Sequence, residues 1–511
     1  MPDIILEGRE LSRIYPGGLI ANDQVSIRFE AGKVHSIVGE NGAGKSTFVK
    51  MLFGAEAPDH GTIHRHGKPV AFRGPSDAID AGIGMVFQHF SLVPTFKAYE
   101  NVVLGSEPRN GLSMDRRKAI ETVRALSERF GLTVNPETPL RDLPVGQQQR
   151  VEILKALYRK AQVLILDEPT AVLAPQEVDE LFEAVRGLTA EGRTVIFIAH
   201  KLPEVIRISD RISVMRGGKL VAEFDREDAT EARLSHAMVG RDVALAVSRS
   251  KQVGETRLAV NQLSLKSARN HALCENVSLE ARAGEIVGLV GVEGNGQAEV
   301  LEAIAGLRPV SDGTITLGGA DLDGLSVLDR RELGLSHIPP DRLSQGLAEG
   351  ASIRENIAAS WLTDPRFVRK GILNLGAQAA FAEKLRKRFS IKAGSVGDMV
   401  GSLSGGNMQK VVVARELAQT PKLLLVNQPT RGVDLGAVEF IWKTLAETRD
   451  DGAAILLCSA DLSELMALAD RFIVFYGGRI VARMDNTAEV TQETLGAFML
   501  GAKSQIGASD E

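Results

Sequence analysis

A glycine-rich phosphate-binding loop occurs twice in this chain, once complete and once altered. Residues 39–47 read GENGAGKST, and residues 291–299 read GVEGNGQAE, 252 positions later. The first satisfies G-x-x-x-x-G-K-[ST], a loop that requires a strand before it and a helix after it. The short stretch Val34-His35-Ser36-Ile37-Val38 supplies the strand, and STFVKMLFG from Ser46 onward supplies the helix. Such a loop places the chain among α/β folds, whose ligands bind at the carboxyl edge of a parallel sheet. In the second copy Gln297 stands where Lys45 does, and Ala298 where Ser46 does.

The repeat extends well beyond the loops. Val25-Ser26-Ile27 matches Val277-Ser278-Leu279, and Ala31-Gly32 matches Ala283-Gly284, at the same offset of 252. By Gly146 and Gly406 the offset is 260, and it holds through Asp167/Asn427 and His200/Ala460, so eight residues are inserted between about Pro340 and Gly406. A period this long is a duplicated domain rather than a solenoid repeat of about 20–50 residues. The expected organisation is two tandem α/β domains, residues 1–243 and 257–501, with a polar linker at 244–256 and a frayed tail at 502–511. Continuous apolar runs at Val163–Leu166 and Val195–Ala199 read as parallel strands covered on both faces. The stretch from about Phe90 to Arg150 has few strand signals and reads as a helical subdomain inserted into the first α/β core.

Composition excludes several classes. The net charge of −5, from 60 Lys+Arg against 65 Asp+Glu, argues against binding nucleic acid by phosphate neutralisation. Two cysteines, Cys274 and Cys458, are too few for a disulfide framework or a zinc site and read as reduced core thiols. The start MPDIILEGRE lacks the pattern of a signal peptide, and no run approaches the roughly 18 apolar residues of a membrane span. A cytoplasmic protein is expected, with any membrane association made through partners.

The candidate site residues follow from the intact loop. Gly39, Asn41, Gly42, Gly44, Lys45, Ser46 and Thr47 form the phosphate cradle: glycines let backbone N–H groups close on phosphate, Lys45 neutralises it, and Ser46 offers a hydroxyl to Mg²⁺. VLILDE ends a buried strand with Asp167, suited to holding Mg²⁺, and Glu168, suited to polarising an attacking water. His200 closes the next strand as a donor to the γ-phosphate. Gln88, at a strand-to-loop exit in MVFQHF, reaches toward the metal and the water. Tyr15, placed ahead of the first strand pair, offers a ring to an adenine face, whereas its counterpart Ser267 offers none. His60, His64 and His89 show no ligand spacing and read as surface residues.

With these residues the chain resembles ATP-binding-cassette ATPases over essentially its full length. The family's marker segment, usually LSGGQ, is LSGGN at 403–407 in the second half and LPVGQ at 143–147 in the first. The duplicated layout, together with DEPTAVLAPQE and PTRGVD, looks like the fused ATPase subunit of bacterial importers for simple sugars such as ribose and for purine nucleosides. The LPVG form is more similar to the nucleoside branch. The resemblance implies ATP and Mg²⁺ as cofactors, two membrane-spanning permease subunits gripped near Gln88 and Pro340, and an extracytoplasmic solute-binding protein or lipoprotein. It also implies a peripheral place on the cytoplasmic face of the membrane.

In that family each ATP is held between one half's phosphate loop and the other half's marker segment. Ser404, Gly405 and Gly406 keep the hydroxyl and close-approach backbone that a helix N-terminus presents to phosphate. Pro144 removes a hydroxyl and an N–H, and Val145 adds a branched side chain. The intact loop thus pairs with the intact marker. The altered loop, with Asn427, Gln428 and Ala460 in place of Asp167, Glu168 and His200, pairs with the altered one. The losses fall in one composite site, which predicts one catalytic site and one impaired site. Asp434, opposite Ala174, is expected either to orient catalytic groups across the interface or simply to cap its helix. Two other readings are a soluble duplicated ATPase acting on ribosomes and a regulatory pseudo-ATPase. The short linker and broken second site disfavour the former, and the complete first site disfavours the latter.

Overall fold

The computed structural model describes residues 3–16, 18–87, 91–111, 113–170, 173, 175–199, 201–242, 253–267 and 270–505. It divides into two compact units, Met1–Val243 and Ala244–Glu511.

In the first unit the strands Val34–Gly39, Val163–Asp167 and Thr194–Ile198 are buried at every residue, as parallel strands with both faces covered must be; His35 and Ser36 of the first are tolerated because each is hydrogen-bonded, to Ser213 and Ser209. They lie in a six-stranded sheet ordered Lys219–Asp225, Arg211–Arg216, Val34–Gly39, Thr194–Ile198, Val163–Asp167, Ile83–Val86. All neighbours pair in parallel except the edge strand Lys219–Asp225. The carboxyl ends of five parallel strands therefore share one edge, and the phosphate loop, Asp167, Glu168 and the chain positions of His200 and Gln88 follow four of those ends.

Alternation along the strands sends side chains to opposite faces. Ile37, Ile165 and Ile196 join one core, which contains Phe48, Val49, Met51 and Leu52 of the helix Lys45–Leu52. Leu6, Leu11, Val25, Ile27 and Phe29 close that core from a four-stranded antiparallel sheet ordered Leu19–Glu30, Ile4–Tyr15, His60–Arg65, Lys68–Val70. Each such fully buried side chain contributes about 1.5–3 kcal/mol, so this packing fixes the helix with its N-terminus at the sheet edge. Val34, Val38, Leu164, Leu166 and Phe197 face a second core shared with the helices Val145–Tyr158 and Pro175–Ala190. The inserted subdomain is helical as expected, with Ala98–Val103, Arg116–Arg129 and Val145–Tyr158. One small hairpin, Arg109–Asn110 with Ser113–Met114, interrupts it.

The second unit repeats this topology, with a six-stranded sheet ordered Leu335–Ile338, Leu423–Asn427, Ala454–Cys458, Ile286–Val290, Arg471–Tyr476, Arg479–Asp485. The eight extra residues enter at three places. The offset is 252 at Ile83/Leu335, 255 at the helix starts Ala98/Ile353, 259 at Arg116/Leu375 and 260 at Leu140/Val400. Two segment expectations change. The end of the segment read as linker is already paired with the second unit: Gly254 N–H donates to Ala283 O at 2.8 Å, Ala283 N–H to Glu255 O at 2.9 Å, and a strand opens at Thr256. The start of the tail is docked rather than frayed, since Gln505 N–H donates to Val481 O at 2.9 Å; residues 506–511 lie outside the described residues. Both cysteines are buried, and burial pushes each thiol up to about 12, which makes them inert.

Candidate nucleotide site

The helix Lys45–Leu52 begins at Gly44, has no side-chain cap and no acidic residue in its first turn. Its first N–H groups are left for an outside acceptor, and the positive end of the helix favours an anion there. Gly44 sits at φ 94°, and a Cβ on it would run into the Ala21 carbonyl, so only glycine fits. Asn22 braces the loop by donating from Nδ2 to Gly44 O at 3.2 Å. Asn41 and Gly42 are exposed at the loop's tip.

Lys45 is 5% exposed. Its Nζ donates to the carbonyls of Gly39 at 2.7 Å and Glu40 at 3.0 Å. Burial lowers its pKa, opposed by the charges of Glu168, Asp167 and Glu40. Asp167 is buried beside it; burial and then the charge of Glu168 raise its pKa, while the nearby Ser46 hydroxyl, Lys45 and Lys50 lower it. Lys45, Ser46, Asp167 and Glu168 thus converge at the sheet edge. The arrangement presents two carboxylates, an ammonium and a hydroxyl around one uncapped helix end, which suits a polyphosphate and a cation.

Glu168 adopts φ 49° and donates its N–H to Ile198 O at 2.9 Å. Its counterpart Gln428 has φ 51° and donates to Cys458 O at 2.8 Å. The left-handed backbone here belongs to the fold of both halves, and only the side chain differs. Gln428 Oε1 accepts the Ala460 N–H at 3.0 Å, which turns the amide toward the end of the neighbouring strand.

Tyr15 requires a correction. It ends the first strand, Ile4–Tyr15, rather than preceding the strand pair. Its hydroxyl donates to Glu56 Oε2 at 2.6 Å and lies 3.3 Å from Thr47 Oγ1, beside the first turn of the phosphate-loop helix. Arg13 lies over its ring, 5.5 Å from the centroid. His60 is exposed and His64 half-buried beside Thr62, at 3.1 Å. Gln88, His89, Ala174 and His200 lie outside the described residues.

In the second unit the loop before helix Gln297–Ala305 keeps its shape, with Gly296 at φ 106° and Cys274 Sγ donating to Gly296 O at 3.3 Å where Asn22 braces the first. Gln297 is buried and folded back against Gly291. Glu299, which a comparison of the two loops at offset 252 would have singled out against Thr47, stands in the first turn of that helix. Its Oε2 is buried without a hydrogen-bond partner. An acidic residue thus stands in the first turn of the helix where the first unit has Thr47, and the lysine is gone.

The marker segments differ as the sequence suggests. Ser404 caps helix Gly405–Leu417, its Oγ accepting from Asn407 Nδ2 at 2.9 Å and from Asn407 N–H at 3.5 Å. A Cβ on Gly406 would lie 2.6 Å from Asp434 Oδ2, so this glycine lets the two segments touch. Asp434 is itself the cap of helix Leu435–Asp450, its Oδ1 accepting from Ala437 N–H at 2.7 Å. In the first unit Pro144 precedes helix Val145–Tyr158 without a side-chain cap, and Val145 is exposed.

The chain is similar to known proteins over nearly its whole length. The ABC transporter family model matches residues 22–171 and again 274–431. The chain is 42% identical to the guanosine import ATP-binding protein NupO of Bacillus subtilis, covering 98% of each. It is 41% identical to the nucleoside import ATP-binding protein NupA of Lactococcus lactis, covering 95% of this chain and 96% of that one. It is 40% identical to the ribose import ATP-binding protein RbsA 3 of Rubrobacter xylanophilus, covering 98% and 99%. Among solved structures, archaeal ribosome recycling factor aABCE1, in complex with stalk protein aP1, shares the tandem fold at TM-score 0.60. It is 20% identical, over 93% of this chain and 90% of that one, a likeness of fold alone. Two family matches on one polypeptide, each set on an α/β sheet with the same strand order, identify the chain as a tandem ABC ATPase of the ABC transporter family.

Proposed function

We propose that this chain is the ATP-hydrolysing, energy-coupling subunit of an ABC importer whose solute is a nucleoside, with a simple sugar as the alternative solute. The observation that carries the reading is the convergence of Lys45, Ser46, Asp167 and Glu168 at an uncapped helix end, in a chain similar over nearly its full length to nucleoside import ATP-binding proteins. The subunit sits on the cytoplasmic face of the membrane against two permease subunits, and an extracytoplasmic solute-binding protein or lipoprotein delivers the solute. No helix among the described residues is long and apolar enough to cross a membrane itself.

ATP bound by the first half's loop is completed by Ser404, Gly405 and Gly406 of the second half. Lys45 exchanges its two carbonyl partners for β- and γ-phosphate oxygens. Glu168 takes a proton from the attacking water, while Gln88 orients that water and His200 donates to the γ-phosphate. Tyr15 stacks on the adenine. Ser46 and Asp167 are neighbouring hard oxygen donors, the kind of pair that Mg²⁺ takes alongside phosphate oxygens. When bound, Mg²⁺ neutralises phosphate charge. The second composite site, with Gln297, Glu299, Asn427 and Gln428 facing Pro144 and Val145, holds nucleotide with little hydrolysis.

The test is affinity capture of the tagged chain from detergent-solubilised membranes, followed by mass spectrometry and by binding of nucleosides and sugars to the co-captured receptor. Multi-spanning permeases and a nucleoside-binding receptor are expected. Ribosomes, or no permease, would replace the importer with the soluble ATPase reading.

A further inference from the structure

The second unit carries an arginine against its marker segment that the motifs do not account for. Between Ile338 and Ile353 the chain runs 15 positions, against 12 between Val86 and Ala98 in the first unit. This longer segment forms a tight turn at Arg342–Gly346. Asp341 fixes the turn, accepting the N–H of Leu343 at 2.8 Å, the N–H of Ser344 at 3.3 Å and the Ser344 hydroxyl at 2.6 Å. The turn aims Arg342 inward. Its Nη1 donates to Arg431 O at 2.7 Å and its Nη2 to Gly432 O at 3.2 Å. A Cβ built on Gly405 would lie 2.8 Å from Arg342 Nη2 and 3.1 Å from Gly432 O, so the guanidinium lies against the first residue of the marker helix. One planar fork thus bonds the segment after strand Leu335–Ile338 to the turn after Asn427 and packs against the N-terminus of Gly405–Leu417. At the corresponding offsets the first half has Phe90 and Ala171 for Arg342 and Arg431, neither of which offers a guanidinium.

We propose that Arg342 is a positioning residue for ATP hydrolysis: it holds Ser404, Gly405 and the 431–432 turn in the one orientation that meets the γ-phosphate of ATP bound by the first half. The inference rests on the composite-site reading above. The guanidinium touches no reacting atom; it fixes the backbone that does. Two parallel N–H donors on adjacent carbonyls need the rigid fork of arginine, and the single ammonium of lysine cannot serve both at this spacing. A misplacement of about 1 Å in such a site costs about 100-fold in rate.

The experiment measures steady-state ATP hydrolysis by the purified full chain in wild type, Arg342→Gln, Arg342→Lys, Arg342→Ala, Ser404→Ala and, as a control for loss of an exposed arginine, Arg369→Gln. The Gln and Lys variants are expected to lose about 10- to 100-fold in kcat with KM for ATP within about threefold. Millimolar guanidinium is expected to restore part of the rate to Arg342→Ala and none to Ser404→Ala, a rescue that a general loss of stability would not show. If Arg342→Gln unfolds early, Arg342→Lys assayed below its melting temperature decides. Wild-type kcat in Arg342→Gln and Arg342→Lys beside a crippled Ser404→Ala refutes the role of Arg342 and leaves the composite site standing. Wild-type kcat in Ser404→Ala refutes the composite site and this inference with it.

Discussion

Glu464 is fully buried in the second unit, at 0% exposure, and accepts the indole N–H of Trp442 at 2.8 Å. Burial pushes its carboxyl up to about 7 from an ordinary 4.5; the nearby Asp461 charge adds to the rise, and the neighbouring Ser459 and Thr430 hydroxyls and the Trp442 indole oppose it. The sign of the linkage follows. Below pH 4.5 both the folded and unfolded chains carry the proton, and the folded state has its full contribution. Between pH 4.5 and about 7 the unfolded chain ionises while the folded one holds its proton, so stability falls as pH rises through this window. Above pH 7 the loss is complete, at about 3 kcal/mol. Glu464→Gln keeps the shape and an oxygen for Trp442 but cannot ionise. It is therefore expected to match wild type near pH 4.5 and to be more stable by up to about 3 kcal/mol at pH 8. Urea unfolding followed by Trp442 emission, in a Trp361→Phe background, reads this directly, since the chain has 2 tryptophans. Wild-type and variant curves that stay parallel from pH 4.5 to 8 would show that the buried carboxyl is already ionised, and the reasoning would fail.

The remaining predictions concern the two loops. Gly44→Ala places a Cβ on a residue at φ 94° and against the Ala21 carbonyl. ATP binding to the first site should be lost, with a stability loss of about 1–3 kcal/mol; unchanged affinity in a nucleotide titration would contradict the cradle geometry. Gln297→Ala, in the loop where the lysine is already missing, should leave turnover within about several-fold of wild type. Complete loss would show that the second site must close for the first to work.

Much of this was legible in the sequence because the chemistry sits in contiguous motifs at strand ends. Val163–Asp167 announces its burial by an unbroken apolar run, and Gly39–Thr47 its geometry by its glycines. What stayed hidden depends on pairs far apart in the chain. Arg342 meets carbonyls 89 and 90 positions away, and its own segment has no periodicity to mark it. The Tyr15 hydroxyl is held by Glu56, 41 positions on, so neither residue alone signals the pair. Residues 502–505 looked like a polar tail because Ala502 and Gln505 are anchored through backbone N–H groups, which composition does not display. Glu299 was readable, since it stands at the phosphate pole of a repeated loop, but only by weighing its charge against Thr47.

The central claim is a single catalytic site on the first half. Steady-state ATP hydrolysis of Glu168→Gln, measured beside Gln428→Ala, tests it most directly. The account predicts that Glu168→Gln loses about 100-fold or more, the range for removing a catalytic base, while Gln428→Ala stays within about several-fold of wild type. Substantial turnover in Glu168→Gln, or equal losses in the two variants, would mean that hydrolysis is not confined to the site built on Lys45, Asp167 and Glu168.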